Sequence, residues 1–113
     1  MIVDGFKNFE EFYPFYLSQH RSLISRQLHL FGTLLAYLNF FYQIIYGKLS
    51  YLWLSALFGY FFAWIGHFFF EKNKPATFKY PLYSLWGDQV LTWHTVTGQL
   101  KGIFKRHNIE ELP

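Results

Sequence analysis

The sequence predicts an all-α integral membrane protein. A helical hairpin over about 28–46 and 49–71 is preceded by an N-terminal amphipathic helix and followed by a C-terminal amphipathic or partly inserted helix. Three observations carry this reading. Residues 28–46 and 49–70 contain no Lys, Arg, Asp or Glu, and each approaches the roughly 20 apolar residues that a spanning helix needs. Both segments are apolar on every side, where a soluble surface helix would keep one polar face. Finally, aromatic residues make up 25% of the 113 residues and charged residues only 15%, against about 25% charged in ordinary globular chains. A soluble domain of this size leaves much of its surface in water and could not hide 15 Phe, 9 Tyr and 4 Trp.

The length fits one membrane domain over 1–113. Mean hydropathy is only +0.09 because polar ends dilute the apolar middle. The absence of cysteine excludes disulfides, thiolate metal sites and cysteine nucleophiles. The net charge of +3 comes from basic residues flanking the apolar segments, which points to anionic lipid headgroups rather than nucleic acid. Met1 to Glu11 carries Asp4, Lys7, Glu10 and Glu11 and does not read as a secretory signal. Insertion is expected to rely on the internal apolar segments.

Along the chain, Asn8 followed by Glu11 is an N-cap pattern opening a helix over 6–20. Pro14 either kinks that helix or restarts it. Its face of Phe9, Phe12, Tyr13, Tyr16 and Leu17 suits a membrane interface. The two apolar spans follow, joined by a tight turn at Gly47-Lys48. Lys7, Arg21 and Arg26 precede the hairpin, Lys72, Lys74 and Lys79 follow it, and the turn has only Lys48. The positive-inside rule then puts both termini in the cytoplasm, as in a bacterial inner-membrane protein. After a loop with Pro75 and Pro81, apolar residues from Leu82 to Phe104 recur at helical spacing, predicting a helix over 82–105. The polar tail from Arg106 is expected to fray. The apolar faces this leaves open suit a homodimer.

The histidines are not scattered. His29 and His67 each lie about 19 residues from the turn, or about 28 Å along antiparallel helices. Their imidazoles therefore meet at one level, at the cytoplasmic end, where Gly32 and Gly66 permit close helix approach. Glu71 follows His67 by four residues and shares its face, as a metal ligand or as a partner orienting His67. His20 is nine residues before His29, half a turn out of phase on one straight helix. Its inclusion requires a helix interruption between 20 and 29, with Ser22 or Ser25 capping the next helix. His94 and His107 read as lying outside the site. Imidazole-rich ligation without thiolate suits Fe, Zn, Cu or Ni rather than Mg or Ca.

Two runs carry a family resemblance. His20-Arg-Ser-Leu-Ile-Ser-Arg-Gln-Leu-His29-Leu-Phe-Gly32-Thr resembles the first histidine motif of the 2-hydroxy fatty acid dioxygenase-like family of small membrane proteins, formerly a domain of unknown function. Trp64-Ile-Gly-His67-Phe-Phe-Phe-Glu71-Lys-Asn-Lys-Pro75-Ala resembles its second motif. The likeness runs from about Phe9 to Leu100, and the short form with Tyr80-Pro-Leu-Tyr-Ser-Leu-Trp-Gly-Asp88 is similar to the bacterial branch. Ser25 departs from the family, which often has Asn there. The resemblance implies an Fe(II)-dependent dioxygenase that shortens 2-hydroxy fatty acids by one carbon in α-oxidation. It implies His20, His29 and His67 as iron ligands, with Glu71 as a fourth ligand or catalytic partner. Arg26, Lys72 or Lys74 could attract the substrate carboxylate, although lipid headgroups would draw the same charges. The alternatives are a non-enzymatic membrane protein with a structural zinc site and a metal-dependent lipid hydrolase, which ranks lowest because no His-Glu-x-x-His or Gly-x-Ser-x-Gly run is present.

Overall fold

The computed structural model describes residues 5–112. Helix α1, Phe9–Ser18, opens as the cap pattern predicts: the Asn8 side chain accepts from the Glu11 amide at 2.9 Å, and Glu11 reaches back to the Lys7 amide at 2.8 Å. The helix continues through Pro14 to Ser18 rather than restarting there. It ends where an interruption was required. Residues 19–22 are non-helical, and Ser22 caps α2, Leu23–Ile45, by accepting from the Ser25 amide at 3.3 Å.

A tight turn at Gly47-Lys48 returns the chain through a 3₁₀ turn, Leu49–Tyr51, into α3, Trp53–Ile65. The turn is stitched by Gln43, whose side-chain oxygen receives the Lys48 amide, and by Asn39, whose amide nitrogen reaches Ser55 Oγ at 2.9 Å. Helices α2 and α3 run against each other without room for side chains at two glycines. A Cβ at Gly32 would stand 2.9 Å from the Phe58 carbonyl oxygen, and one at Gly66 2.6 Å from Ser25 Oγ. Their outer faces are bare: Leu38 is 68% and Phe69 70% exposed. Only 17% and 11% of the apolar windows of Leu23–Ile45 and Leu49–Glu71 are buried. Helices this long and apolar can cross a bilayer, and their open faces are what a span turned toward lipid presents.

The last turn of the second span departs from the expected α-helix. Residues Gly66–Glu71 form a π-helical turn ended by Lys72 in the left-handed conformation. After a 3₁₀ turn, Ala76–Phe78, Pro81 starts α4, Pro81–Val96. The single helix predicted over 82–105 is two helices, because Gly98 adopts φ +74° and α5 restarts at Leu100–Arg106.

Two further expectations are corrected. The aromatic stripe of α1 faces protein: Phe12, Tyr13, Tyr16 and Leu17 are buried with Tyr80, Leu91, Ile103 and Phe104, because α4 and α5 offer the apolar surface that the stripe needs. The tail does not fray. The Leu112 amide donates to the Arg21 carbonyl at 2.8 Å, and Glu111 pairs with Arg26 at 2.6 Å.

Candidate functional site

The break after α1 folds His20 over the hairpin, as the sequence required. The rings of His20 and His67 have centroids 4.5 Å apart, and those of His20 and His29 5.6 Å apart. All three are buried, between 2% and 3% exposed. They come from three elements: the α1–α2 connector, α2 and the π turn. A π turn changes the register of the residues it carries and recurs at functional sites; here it carries His67.

Each imidazole is oriented by a hydrogen bond. His20 Nδ1–H donates to the Tyr16 carbonyl at 2.7 Å, with its ring stacked on Tyr16 at 4.2 Å. His67 Nδ1–H donates to Asn73 Oδ1 at 2.7 Å. The orientation of that amide is set on its other side, where Asn73 Nδ2 donates to the Gln19 carbonyl at 3.2 Å. Carbonyl and amide oxygens only accept, so in both rings Nδ1 carries a proton and the hydrogen bond leaves Nε2 uncommitted. His29 is held by Nε2, 2.9 Å from Asp88 Oδ1 and 3.3 Å from Tyr16 Oη. The Tyr16 hydroxyl also donates to Asp88, at 2.5 Å. Burial, then the neighbouring imidazoles of His67 and His29, holds His20 well below the usual histidine range, so its ring stays neutral, the form that ligates metals. Burial, then the Asp88 carboxylate, pushes the Tyr16 hydroxyl up, so it remains a donor.

The other predicted residues are placed differently. Glu71 accepts from the backbone amides of Arg21 and Ser22, so its carboxylate secures the connector that carries His20. Arg26 is buried, and its guanidinium donates to the carbonyls of His20 and Arg21 and to Glu111. Lys72 and Lys74 are exposed at the same end. His94 bonds Tyr13 Oη at 2.8 Å, and His107 is exposed.

Three partners were missed from the sequence: Asp88, Tyr16 and Asn73. Asp88 left a signal, being the only charged residue in Pro81–Val96, and a lone carboxylate in an apolar helix calls for a partner. Tyr16 is hidden among the rings of α1, and Asn73 is one polar residue in a polar loop.

From His29 and Asp88 an apolar cavity of about 590 Å³ runs between α2, α3 and α4 toward the turn, past Tyr37, Phe41 and Tyr60. Its extent along α2, from His29 to Phe41, is about 18 Å. That volume lies in the range of small-molecule sites, which pair apolar walls with a few polar groups. The oriented imidazoles fit a borderline divalent metal such as iron or zinc. Among the described residues, however, no three His, Asp or Glu side chains stand as a ready-made metal cage.

The family described as 2-hydroxy-palmitic acid dioxygenase Mpo1-like matches residues 6–100. No curated protein and no solved structure matches the chain. With most of its length matched, the chain belongs to the Mpo1-like family.

Proposed function

We propose that this member of the Mpo1-like family is a membrane-bound, iron-dependent dioxygenase that shortens 2-hydroxy fatty acids by one carbon. The observation that carries the reading is the meeting of His20, His29 and His67, with His29 also lining, beside Asp88, one end of an apolar cavity between α2, α3 and α4. These three imidazoles would hold Fe(II), which supplies the activation of O₂ when bound.

The chain's own residues supply the remainder. The cavity takes the acyl tail and leaves the carboxylate and 2-hydroxyl at the His29–Asp88 end. Asp88 lines that end and is fixed by Tyr16 and His29, which places its carboxylate to accept the proton of the 2-hydroxyl. Because the Arg26 guanidinium is already committed to protein groups, Lys72 and Lys74 are the cations left to meet the substrate carboxylate. The basic residues beside the histidine end, against Lys48 alone at the turn, support the reading in which this end and both termini face the cytoplasm.

The test is elemental analysis of anaerobically purified protein, with O₂ uptake on 2-hydroxypalmitic acid. Near-stoichiometric iron is expected, lost together with O₂ uptake in His20→Ala, His29→Ala and His67→Ala. Tightly bound zinc without O₂ uptake would overturn the dioxygenase in favour of a structural site. Iron retained in all three variants would overturn the ligand set.

A further inference from the structure

Beside the imidazoles lies a second, much smaller chamber of about 10 Å³, bounded by His20, His67, Trp64, Ser84 and Asp88. Among the described residues, the buried side-chain polar atoms without a hydrogen-bond partner are Trp64 Nε1 and Ser84 Oγ. Both residues line this one chamber.

The coincidence is not a by-product of helix geometry. Ser84 is 1% exposed. Two other hydroxyls of the same helix, those of Thr92 and Thr95, close onto the carbonyls of Asp88 and Leu91 at 2.8 and 2.7 Å. Ser84 makes no such bond. A buried donor left unmade is costly, and such groups in folded proteins are normally satisfied by protein or by an ordered molecule.

The chemistry of the wall limits what can satisfy them. An indole N–H only donates, and a hydroxyl can donate as well. The occupant must therefore accept hydrogen bonds, and a bare cation would meet the positive end of the Trp64 N–H. The volume is at the lower bound for one water molecule, so the occupant has one heavy atom inside the chamber.

We propose that the chamber is a binding subsite for a single oxygen atom, held by the Trp64 Nε1–H and Ser84 Oγ–H donors beside His20 and His67. In the resting protein the occupant is a water molecule. In turnover it is an oxygen atom of the substrate or of O₂, and this catalytic meaning alone rests on the dioxygenase reading. Trp64 and Ser84 then act as donors toward the reacting oxygen, in the manner of preorganised dipoles in a water-poor site.

The test uses full-length, metal-free protein in detergent micelles, so a failure of the iron assignment leaves it intact. The Trp64 indole N–H resonance is identified by its loss in Trp64→Phe. It should show cross-relaxation to a long-lived water, and Ser84→Val, which fills the chamber, should abolish that signal. Ser84→Ala should lower the melting temperature by several degrees, since it strips a partner from a bound molecule. Adding 2-hydroxypalmitate separates the sources: a shifted Trp64 resonance with loss of the water signal assigns the position to a substrate oxygen, and a persistent water signal assigns it to water. No water signal on Trp64, with no shift on addition of the acid, would overturn the subsite. So would a Ser84→Ala protein that melts higher than the parent, since that is the response of a hydroxyl buried without any partner.

Discussion

The two ends of the hairpin are built for different surroundings. At the histidine end, Phe12 is fully buried and has six aromatic rings within 5.2 to 6.1 Å. The polar groups beside that cluster are tied to one another through Tyr16, Asp88 and His29. At the turn end, α2 packs on α3 and on the 3₁₀ turn, and Tyr46 and Leu49 are 78% and 69% exposed. The lesson is that one short chain uses two solvents. Where α1, α4 and α5 cover the hairpin, protein supplies the apolar contact. Elsewhere the exposed faces suit contact with lipid, since a monomer in water rarely leaves so large an apolar surface open.

Substitutions can break this contrast or sharpen it. Phe12→Ala empties the ring cluster and is expected to cost about 3–5 kcal/mol, read as a lower melting temperature in detergent. Leu34→Arg comes next. Leu34 lies at the middle of α2 and is 49% exposed, a position where water would tolerate arginine within about ±0.5 kcal/mol. In a bilayer the same change costs about 2.5–3.5 kcal/mol, so the variant should fall out of the membrane fraction; unchanged membrane recovery would remove the lipid half of the comparison. Gly66→Ala pushes a methyl against Ser25 and should cost about 1–3 kcal/mol as an overpacked contact. It lies next to His67, so the iron proposed for that site should be lost along with melting temperature.

The smallest effect is a pH dependence. Burial, then Arg106, holds His94 below the ordinary histidine range. The unfolded chain takes up that proton near pH 6.5, so the unfolded state binds more protons as pH falls through that value. The His94 contribution is therefore present above about pH 6.5 and lost below it. His94→Gln should show a slightly flatter decline of melting temperature between about pH 7 and pH 5 than the parent.

Much of this arrangement could be read before any coordinates. The charge-free spans fix the hairpin, and equal distances from Gly47-Lys48 bring His29 and His67 level. The phase mismatch between His20 and His29 demands the interruption that Ser22 caps. What escaped reading has physical causes. A π turn leaves no distinct composition, so the α-helical register assumed for Glu71 did not anticipate its bond to the Arg21 and Ser22 amides. Gly98 inside a periodic run reads as a tolerated glycine until its φ of +74° is seen. The anchoring of residues 110–112 depends on Arg21 and Arg26, some 85 to 91 residues away in sequence, and local pattern carries no such pairing. The stripe of α1 looked like an interface helix because a hydrophobic face has the same composition whether it meets lipid or α4.

The cavity between α2, α3 and α4 has a kinetic consequence. Two of its walls, α2 and α3, belong to segments long and apolar enough to cross a bilayer, so the acyl ligand proposed above would reach it by lateral diffusion within the membrane. Occupancy then follows the ligand's mole fraction among the lipids and not its concentration in the surrounding water. Diluting the bilayer with inert lipid should desaturate the protein even when the total amounts of ligand and protein are held constant. A vesicle assay that reports only molar substrate will therefore assign one protein many different apparent affinities.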